Sequence, residues 1–417
     1  MTYIEKMYEN LVSQKELFRE FKWQIIEKVL RSFTIILVNF IITNVFGPEV
    51  YGRYSYAISL TSIFVGFSNI GMPNLIVSQI SKYRKNREKI ISCFLKIRIF
   101  TNLLIFLVFI FYSFINLKIC LLLSLCVGTS FLDIFESYNQ GKLNIIRNTK
   151  AKIIAYILGL LLKLIAIFYF NNYKLSLLIY SFEFFISYFL IYKYSSLDFK
   201  ELMSYEVDIK LYKNTIKRLI PLCLTTFFTI LAAKLDILII QNKFGYSLLG
   251  KYNIFSQVII LWSIIPLMLS NYHMPRLAKC YSISVIKYKK ELIKYGKLYI
   301  KIGLLTSFIA ILVFNIQYQI LNYTNNDIYL AGLILCFVNI PLSISLLQAS
   351  IIAINNLQLY CLIKTIINFI IMLICSIFLI KYIGIIGLPI AVNFSYLCSE
   401  YFLPMFFKNN IRFSLYI

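Results

Sequence analysis

Charged residues are scarce in this sequence, which contains 14% Asp, Glu, Lys and Arg, against about 25% in a typical soluble domain. Apolar residues make up 60% of the chain, which is more than a soluble globule of this size holds. Runs such as 103–115 and 366–380 are apolar on every face, whereas a membrane β-barrel needs apolar and polar residues to alternate. The predicted fold class is therefore an all-α membrane protein.

Three further features are missing, and each excludes a class of function. The nine cysteines contain no C-x-x-C pair, which argues against a metal site or a disulfide framework. No G-x-x-x-x-G-K-[ST] loop is present, so transport driven by nucleotide hydrolysis is not expected. The first 24 residues contain no apolar core of a cleavable signal peptide. We therefore expect no cofactor, and any energy would come from an H⁺ or Na⁺ gradient, the membrane potential or the substrate gradient.

Twelve apolar segments are long enough to cross a bilayer as helices of about 20 residues. An amphipathic segment at 3–28 precedes them and is predicted to lie on the cytoplasmic membrane surface. Six spans are predicted in each half of the chain, at 29–46, 54–80, 97–115, 119–138, 152–170 and 175–194, and at 219–241, 253–275, 298–316, 328–354, 360–382 and 385–406.

The positive charges are distributed unevenly among the loops between these spans. The chain carries a formal net charge of +24, and 23 lysines and arginines fall in the even-numbered loops against 6 in the odd-numbered ones. Because positively charged loops stay in the cytoplasm, both termini are predicted to be cytoplasmic. The loops 82–96 and 276–297 are basic enough to contact anionic membrane lipids. Membrane orientation and lipid contact therefore account for the net positive charge, and no nucleic-acid partner is expected.

The two halves share the pattern N-x-F-G-x4-G-[RK]-Y, which occurs at 44–54 and again at 242–252. Two halves with six spans each have the same orientation, and such parallel repeats are typical of transporters with the substrate path between them. We therefore divide the chain into an N-terminal segment, a first bundle, a linker and a second bundle, at 1–28, 29–194, 195–217 and 218–417. Both glycines of each copy can accept positive φ, which would allow a tight turn between adjacent helices.

Charged residues inside spans are candidates for the translocation path, because each costs about 2.5–3.5 kcal/mol at the centre of a membrane helix. Lys163 and Glu183 lie at similar depth on neighbouring spans, where they could equally form a structural ion pair. Lys234 and Asp236 point to opposite sides of the seventh span, where Lys234 could also reach the interface. The remaining candidates lie towards cytoplasmic span ends, where exposure to water is the alternative: Asp133, Glu136 and Arg31.

The sequence resembles the polysaccharide transporter family of the MOP superfamily, and within it the Wzx-type O-antigen or capsule repeat-unit flippases. The resemblance rests on the two copies of the repeated turn, at 46–54 and 244–252, and on Lys234-Leu-Asp236 before the second copy. It implies two helical bundles with alternating access, in a multi-pass protein of the bacterial inner membrane.

The resemblance also implies a substrate and partners. The substrate would be an oligosaccharide on undecaprenyl pyrophosphate, with Lys163, Lys234 and Arg31 as the cations that attract the pyrophosphate. An O-antigen polymerase and a chain-length regulator would be its protein partners.

Two other functions fit parts of the sequence. A multidrug exporter of the same superfamily would use Asp236 or Glu183 to couple cation movement to export. A membrane glycosyltransferase or O-antigen polymerase would need acids outside the membrane, where only Glu49 and Asp327 are expected and the longest connection covers 317–327. The protein is therefore predicted to be a transporter and not an enzyme.

Overall fold

The structure, a computed structural model, describes residues 3–405 except 70, 83–86, 143, 206–208, 322–324 and 356. In this part of the chain all regular secondary structure is helical, as predicted. The helices are α1 Tyr3–Asn69, α2 Met72–Lys82, α3 Arg87–Asn116, α4 Ser124–Thr129, α5 Asp133–Gly141, α6 Ile145–Phe168, α7 Tyr173–Ser195, α8 Phe199–Ser204, α9 Ile209–Leu261, α10 Ile264–Ile283, α11 Val285–Ile320, α12 Asn326–Cys336, α13 Asn339–Ile354, α14 Gln358–Ile383, α15 Gly387–Leu397 and α16 Leu403–Met405. Short 3₁₀ turns cover Lys118–Leu123, Ser130–Leu132 and Gly384–Ile386, and a π-helical turn covers Cys398–Phe402.

Nine helical segments within these described ranges are long and apolar enough to cross a membrane. Three of them are much longer than one crossing: Lys22–Asn69, Leu219–Ser270 and Gln358–Phe402, with 48, 52 and 45 residues. Each of the three contains two predicted spans, or most of both. Large apolar side chains on the outside, such as Phe111 at 70% and Phe308 at 63% exposure, require lipid around them. The chain is therefore a multi-pass helical membrane protein.

The predicted amphipathic segment forms the beginning of α1. The helix is continuous from Tyr3, but the side chains before residue 22 lie outside the described part of the structure.

Contacts divide the chain into two compact units. The first unit contains Met1–Val38 and Leu60–Leu219, and the second contains Asn39–Ser59 and Ile220–Ile417. The turn of the first half, at 44–54, therefore belongs to the same unit as its copy at 242–252.

In the first unit, the start of the predicted linker is attached to α3. Ser92 Oγ donates to the Leu202 carbonyl at 2.5 Å and Lys96 Nζ donates to the Tyr205 carbonyl at 2.6 Å. The Tyr205 hydroxyl donates to Glu88 at 2.9 Å, and this bond to a carboxylate raises the pKa of Tyr205. Because the Leu202 side chain is buried in the core of this unit, residues 198–205 form a docked segment and not a free linker.

In the second unit, the two copies of the repeated turn pack against each other. A Cβ at Gly52 would overlap the carbonyl oxygen of Tyr246, and a Cβ at Gly250 would overlap that of Pro48. The contact is reciprocal, because the same Cβ positions would lie 3.2 Å from Gly250 N and 3.1 Å from Gly52 N. Only glycine allows two backbones to approach this closely.

Positive φ, which all four glycines of the repeated turns can accept, is present at two of them. Gly47 and Gly245 have φ of 85° and 80° with extended ψ, and they bend α1 and α9. Gly52 and Gly250 are not among the positive-φ glycines. They are needed for close packing and not for backbone conformation.

Candidate functional site

The seven predicted site residues divide between the two units. The first unit holds five of them and the second holds two: Arg31, Asp133, Glu136, Lys163 and Glu183, and Lys234 and Asp236.

Lys163 and Glu183 form a buried ion pair between α6 and α7, which pack against each other along their lengths. Gly159 lies one turn before Lys163 on α6, and the Glu183 carboxylate occupies the space that a side chain there would need. Lys163 Nζ also lies 5.1 Å from the centre of the Tyr180 ring. The ion pair expected from the matching depth of these residues is present.

Asp133 and Glu136 each form an ion pair with a cation from another helix. Asp133 Oδ2 lies 2.9 Å from Arg98 Nη2 on α3, and Glu136 Oε1 lies 2.6 Å from Lys152 Nζ on α6. Neither cation was among the predicted site residues, because Arg98 and Lys152 stand at the very beginning of the predicted spans 97–115 and 152–170, whereas α3 and α6 begin earlier, at Arg87 and Ile145. Arg98 and Lys152 therefore lie several residues inside helices, and not at a loop.

Arg98 is the centre of a buried polar network and is only 1% exposed. Its Nη2 donates to Asn69 Oδ1 at the end of α1 and to the Ser130 carbonyl at 3.1 Å. Ser130 Oγ in turn bonds Asn102 at 2.6 Å. One guanidinium therefore joins the end of α1 to the 3₁₀ turn that interrupts the predicted fourth span. This arrangement is structural, since the group is closed off from solvent.

Arg31 differs from the other predicted cations of the first unit because its side chain is exposed. Among the described residues its guanidinium takes part in no ion pair or hydrogen bond. Its backbone carbonyl accepts a hydrogen bond from Thr34 Oγ1 at 2.8 Å. Glu27 and three tyrosines lie within electrostatic range of it: Tyr156, Tyr180 and Tyr188.

Two further cations lie near Arg31, and we call Lys28, Arg31 and Lys152 the basic cluster. Lys28 lies within electrostatic range of both Arg31 and Lys152. Two acids contact the cluster without a cation outside it: Glu136 pairs with Lys152, and Glu27 accepts a hydrogen bond from the Tyr156 hydroxyl at 3.2 Å. Glu183 and Asp133 also lie within electrostatic range of Arg31 and Lys152, but they pair with Lys163 and Arg98. The cluster therefore carries a net positive charge, and an arginine can bind an oxyanion through two parallel hydrogen bonds.

In the second unit, Lys234 and Asp236 do not form an ion pair with each other in the described part of the chain. Asp236 is buried, and its Oδ1 accepts a hydrogen bond from the Ile237 amide at 2.8 Å. Lys234 is half-buried.

Sequence reasoning missed the ion pair that is most deeply buried in the second unit. Lys364 Nζ lies 2.6 Å from Glu400 Oε2 and donates to Gln348 Oε1 at 3.0 Å. Glu400 lies in the π-helical turn and is 1% exposed. Lys364 was counted with the loop charges although it lies within the predicted span 360–382, and the structure places it in the second turn of α14. The signal that could have identified the pair is an acid within the apolar run after residue 385.

Comparison with known proteins places this geometry in a family. The profile of the polysaccharide biosynthesis protein family matches residues 19–281. The capsular polysaccharide biosynthesis protein CapF of Staphylococcus aureus is 24% identical over 271 residues, which are 63% of this chain and 66% of that protein. The chain thus aligns with slightly less than two thirds of that relative.

Three solved structures share the fold at low sequence identity. The lipid II flippase MurJ in an inward closed conformation has a TM-score of 0.72 at 14% identity, covering 96% of this chain and 88% of that one. An inward-facing multidrug resistance MATE transporter of the MOP superfamily has a TM-score of 0.70 at 12% identity, covering 89% and 95%. The Vibrio cholerae MATE transporter VcmN in its bent form has 0.67 at 16%, covering 97% and 98%. The resemblance drawn from the repeated turns is confirmed: the chain belongs to the polysaccharide biosynthesis protein family and has the fold of MOP-superfamily transporters.

Proposed function

We propose that this protein is a flippase for undecaprenyl-pyrophosphate-linked oligosaccharide repeat units, of O-antigen or capsule, in the bacterial inner membrane. The observation that carries the proposal is the basic cluster, where Arg31, an exposed residue, stands among cations that outnumber the acids. Such a cluster suits a pyrophosphate diester, which carries two negative charges at neutral pH. The family match and the names of two similar proteins, a capsular polysaccharide biosynthesis protein and a lipid II flippase, support this substrate class.

The reaction that we propose is movement of the headgroup without chemistry. A diphosphate and its sugars cannot cross about 30 Å of hydrocarbon without a polar path, because desolvating the charges is too costly. The basic cluster would hold the pyrophosphate while the undecaprenyl tail stays in the lipid. Alternating access, coupled to an H⁺ or Na⁺ gradient, would then expose the headgroup to the outer leaflet. Asp236 is our candidate for the coupling group in the second unit.

The other predicted residues receive supporting roles in this proposal. The ion pairs of Lys163 with Glu183 and of Glu136 with Lys152 would hold α5, α6 and α7 around the cluster. Asp133 would act through Arg98. Lys234 would provide a second cation on the path. An O-antigen polymerase and a chain-length regulator would receive the product.

For the membrane topology we propose twelve crossings in two six-helix halves, 29–194 and 218–417, with both termini cytoplasmic. A continuous helix of 45–52 residues would be about 68–78 Å long, more than twice the hydrocarbon thickness. The bends at Gly47, Gly245 and Gly384 would let each long segment cross twice. Alkaline phosphatase fused after residue 205 and after residue 417 should be inactive in both positions, and activity at either would contradict this topology.

The proposal is tested by deleting the gene in its host and locating the lipid-linked repeat unit with a membrane-impermeant lectin on spheroplasts. We expect complete units to accumulate on the cytoplasmic side, and surface polysaccharide to be lost. The wild-type gene and Arg147→Gln, a change of an exposed arginine outside the cluster, should restore export. Arg31→Gln should not.

Two results would overturn the proposal. Single repeat units that reach the outside but stay unpolymerised would indicate a polymerase. Unchanged surface polysaccharide, together with lost export of cationic dyes, would indicate a multidrug exporter.

A further inference from the structure

Three aromatic residues form a continuous row on one side of α7, at intervals of four residues. The ring centres of Tyr180 and Phe184 are 5.0 Å apart, and those of Phe184 and Tyr188 are 6.0 Å apart. All three side chains are half-buried. From the first to the last the row extends about 12 Å along the helix. We call Tyr180, Phe184 and Tyr188 the aromatic row.

The aromatic row adjoins charged groups and therefore does not face lipid. Arg31 lies within electrostatic range of both Tyr180 and Tyr188, and Tyr188 also lies within range of Asp133 and Glu136. Charged groups on a lipid-exposed surface would be strongly unfavourable. Phe182, on the opposite side of α7, is 43% exposed and is the surface that we expect to contact hydrocarbon. Lys163 Nζ lies 5.1 Å from the centre of the Tyr180 ring, while Tyr188 also packs against the hydrophobic core of the unit. The aromatic row thus adjoins the charged groups of the first unit.

An aromatic row beside exposed polar groups has a specific chemical use. The C–H faces of sugar rings are apolar and pack on aromatic rings, while the hydroxyls around the ring edge need hydrogen-bond partners. The protein groups beside the row that can hydrogen-bond sugar hydroxyls are the hydroxyls of Tyr180 and Tyr188 and the carboxylates of Glu27 and Glu136. A row that is apolar on its faces and polar at its edges suits carbohydrate better than a purely aliphatic ligand.

We propose that the aromatic row binds the sugars of the lipid-linked oligosaccharide, while Arg31 beside it binds the pyrophosphate. This inference rests on the proposed function and adds the part of the site that distinguishes a glycosylated from an unglycosylated lipid. The pyrophosphate and the first sugars are covalently adjacent, and so are the two parts of the site. The row therefore determines which substrates enter, whereas the basic cluster accepts any undecaprenyl pyrophosphate.

The test compares two ligands on the purified full chain in nanodiscs. One is undecaprenyl pyrophosphate, and the other is the undecaprenyl-pyrophosphate repeat unit extracted from the deletion strain. Each competes with radiolabelled undecaprenyl pyrophosphate, and the ratio of the two Kd values measures the contribution of the sugars. We expect the wild-type protein to bind the glycosylated lipid about tenfold more tightly, from stacking on two or more rings.

Matched variants separate the ring from the hydroxyl and from folding. Tyr180→Leu with Tyr188→Leu should reduce the Kd ratio to about one and leave the Kd for undecaprenyl pyrophosphate unchanged. Tyr180→Phe with Tyr188→Phe keeps the rings and should keep most of the preference. If the double leucine variant fails to fold, Phe184→Leu alone takes its place, and this single variant should give an intermediate Kd ratio. Phe182→Leu removes a ring from the same helix on the lipid side and should have no effect.

The outcomes distinguish the two levels of the proposal. A wild-type ratio near one, or an unchanged ratio in the double leucine variant, overturns the role of the aromatic row but leaves the flippase intact. If the deletion strain accumulates no lipid-linked unit, or neither lipid binds, the proposed function itself fails and this inference fails with it.

Discussion

The carboxylate of Glu183 lies directly over Gly159, so that any side chain at position 159 would overlap its Oε2 atom. The glycine on α6 thus makes room for an acid from α7, and that acid pairs with Lys163 one turn further along α6. A residue without a side chain is therefore part of the geometry of a buried ion pair.

Gly159→Ala should break this ion pair. We expect the added methyl group to displace the Glu183 carboxylate and leave Lys163 buried without its partner, which lowers stability by about 3–5 kcal/mol. The loss should be visible as a lower apparent melting temperature of the purified protein in detergent. In a Glu183→Ala background the same substitution should have almost no additional effect, because the obstructing group is gone. Additive losses in the two backgrounds would contradict this explanation.

Gly52→Ala should destabilise the contact between the two repeated turns. The new Cβ would collide with the Tyr246 carbonyl, and backbone can move aside only at a cost of about 1–3 kcal/mol. Gly250→Ala should lower the melting temperature by a similar amount, since the contact is reciprocal. The double variant should lose less than the sum, because one separation relieves both collisions. Asn44→Ala, an exposed position in the first turn, is the control and should be neutral.

Arg98→Gln should destabilise the first unit strongly. It removes the charge that pairs with Asp133 and the donor that joins Asn69 to Ser130, and breaking such a buried pair costs about 3–5 kcal/mol. Arg98→Lys should recover only part of the loss, because an ammonium group cannot reproduce the planar fork of donors. Hydrogen exchange should increase across 124–133. Arg87→Gln, which removes a single bond to the Ile80 carbonyl, should leave that exchange unchanged, and equal effects of both changes would refute the role of the network.

Leu202→Asp should release the docked segment at 198–205. A charge placed in the core next to α3 is unfavourable, so the segment should detach and trypsin should cut faster after the exposed Lys200. The rate is measured by limited proteolysis of the protein in nanodiscs. Met203→Asp changes the adjacent residue, whose side chain is 41% exposed, and should not alter the rate. Rapid cleavage of the wild-type protein at Lys200 would show that the segment is not held.

The sequence was most informative where residues shared a depth or a pattern. The ion pair of Lys163 with Glu183 followed from their similar depth on neighbouring spans. The duplicated turn followed from spacing alone, and it led to the correct family. Both arguments compare one part of the chain with another: the depth of two residues in their spans, and the spacing of one motif in two places.

The sequence was less informative about where helices begin. Arg98, Lys152 and Lys364 looked like loop or interfacial charges, because each lies at, or within a few residues of, the start of a predicted span. The helices begin earlier, and each cation is satisfied by an acid from a helix that is distant in sequence. Hydropathy measures the preference for lipid and cannot detect such partners. The same limit applies to Gly52, where the pattern could not distinguish a need for positive φ from a need for close packing.

The reciprocal contact of Gly52 and Gly250 has a consequence for the symmetry of the fold. Each copy of the duplicated turn is the surface that the other copy binds, and the same glycine serves on both sides. A chain of only one half would present this turn once, and two such chains could meet through it across a twofold axis, as in an isologous dimer. The contact that joins these two parts of one polypeptide therefore has the form of an isologous subunit interface.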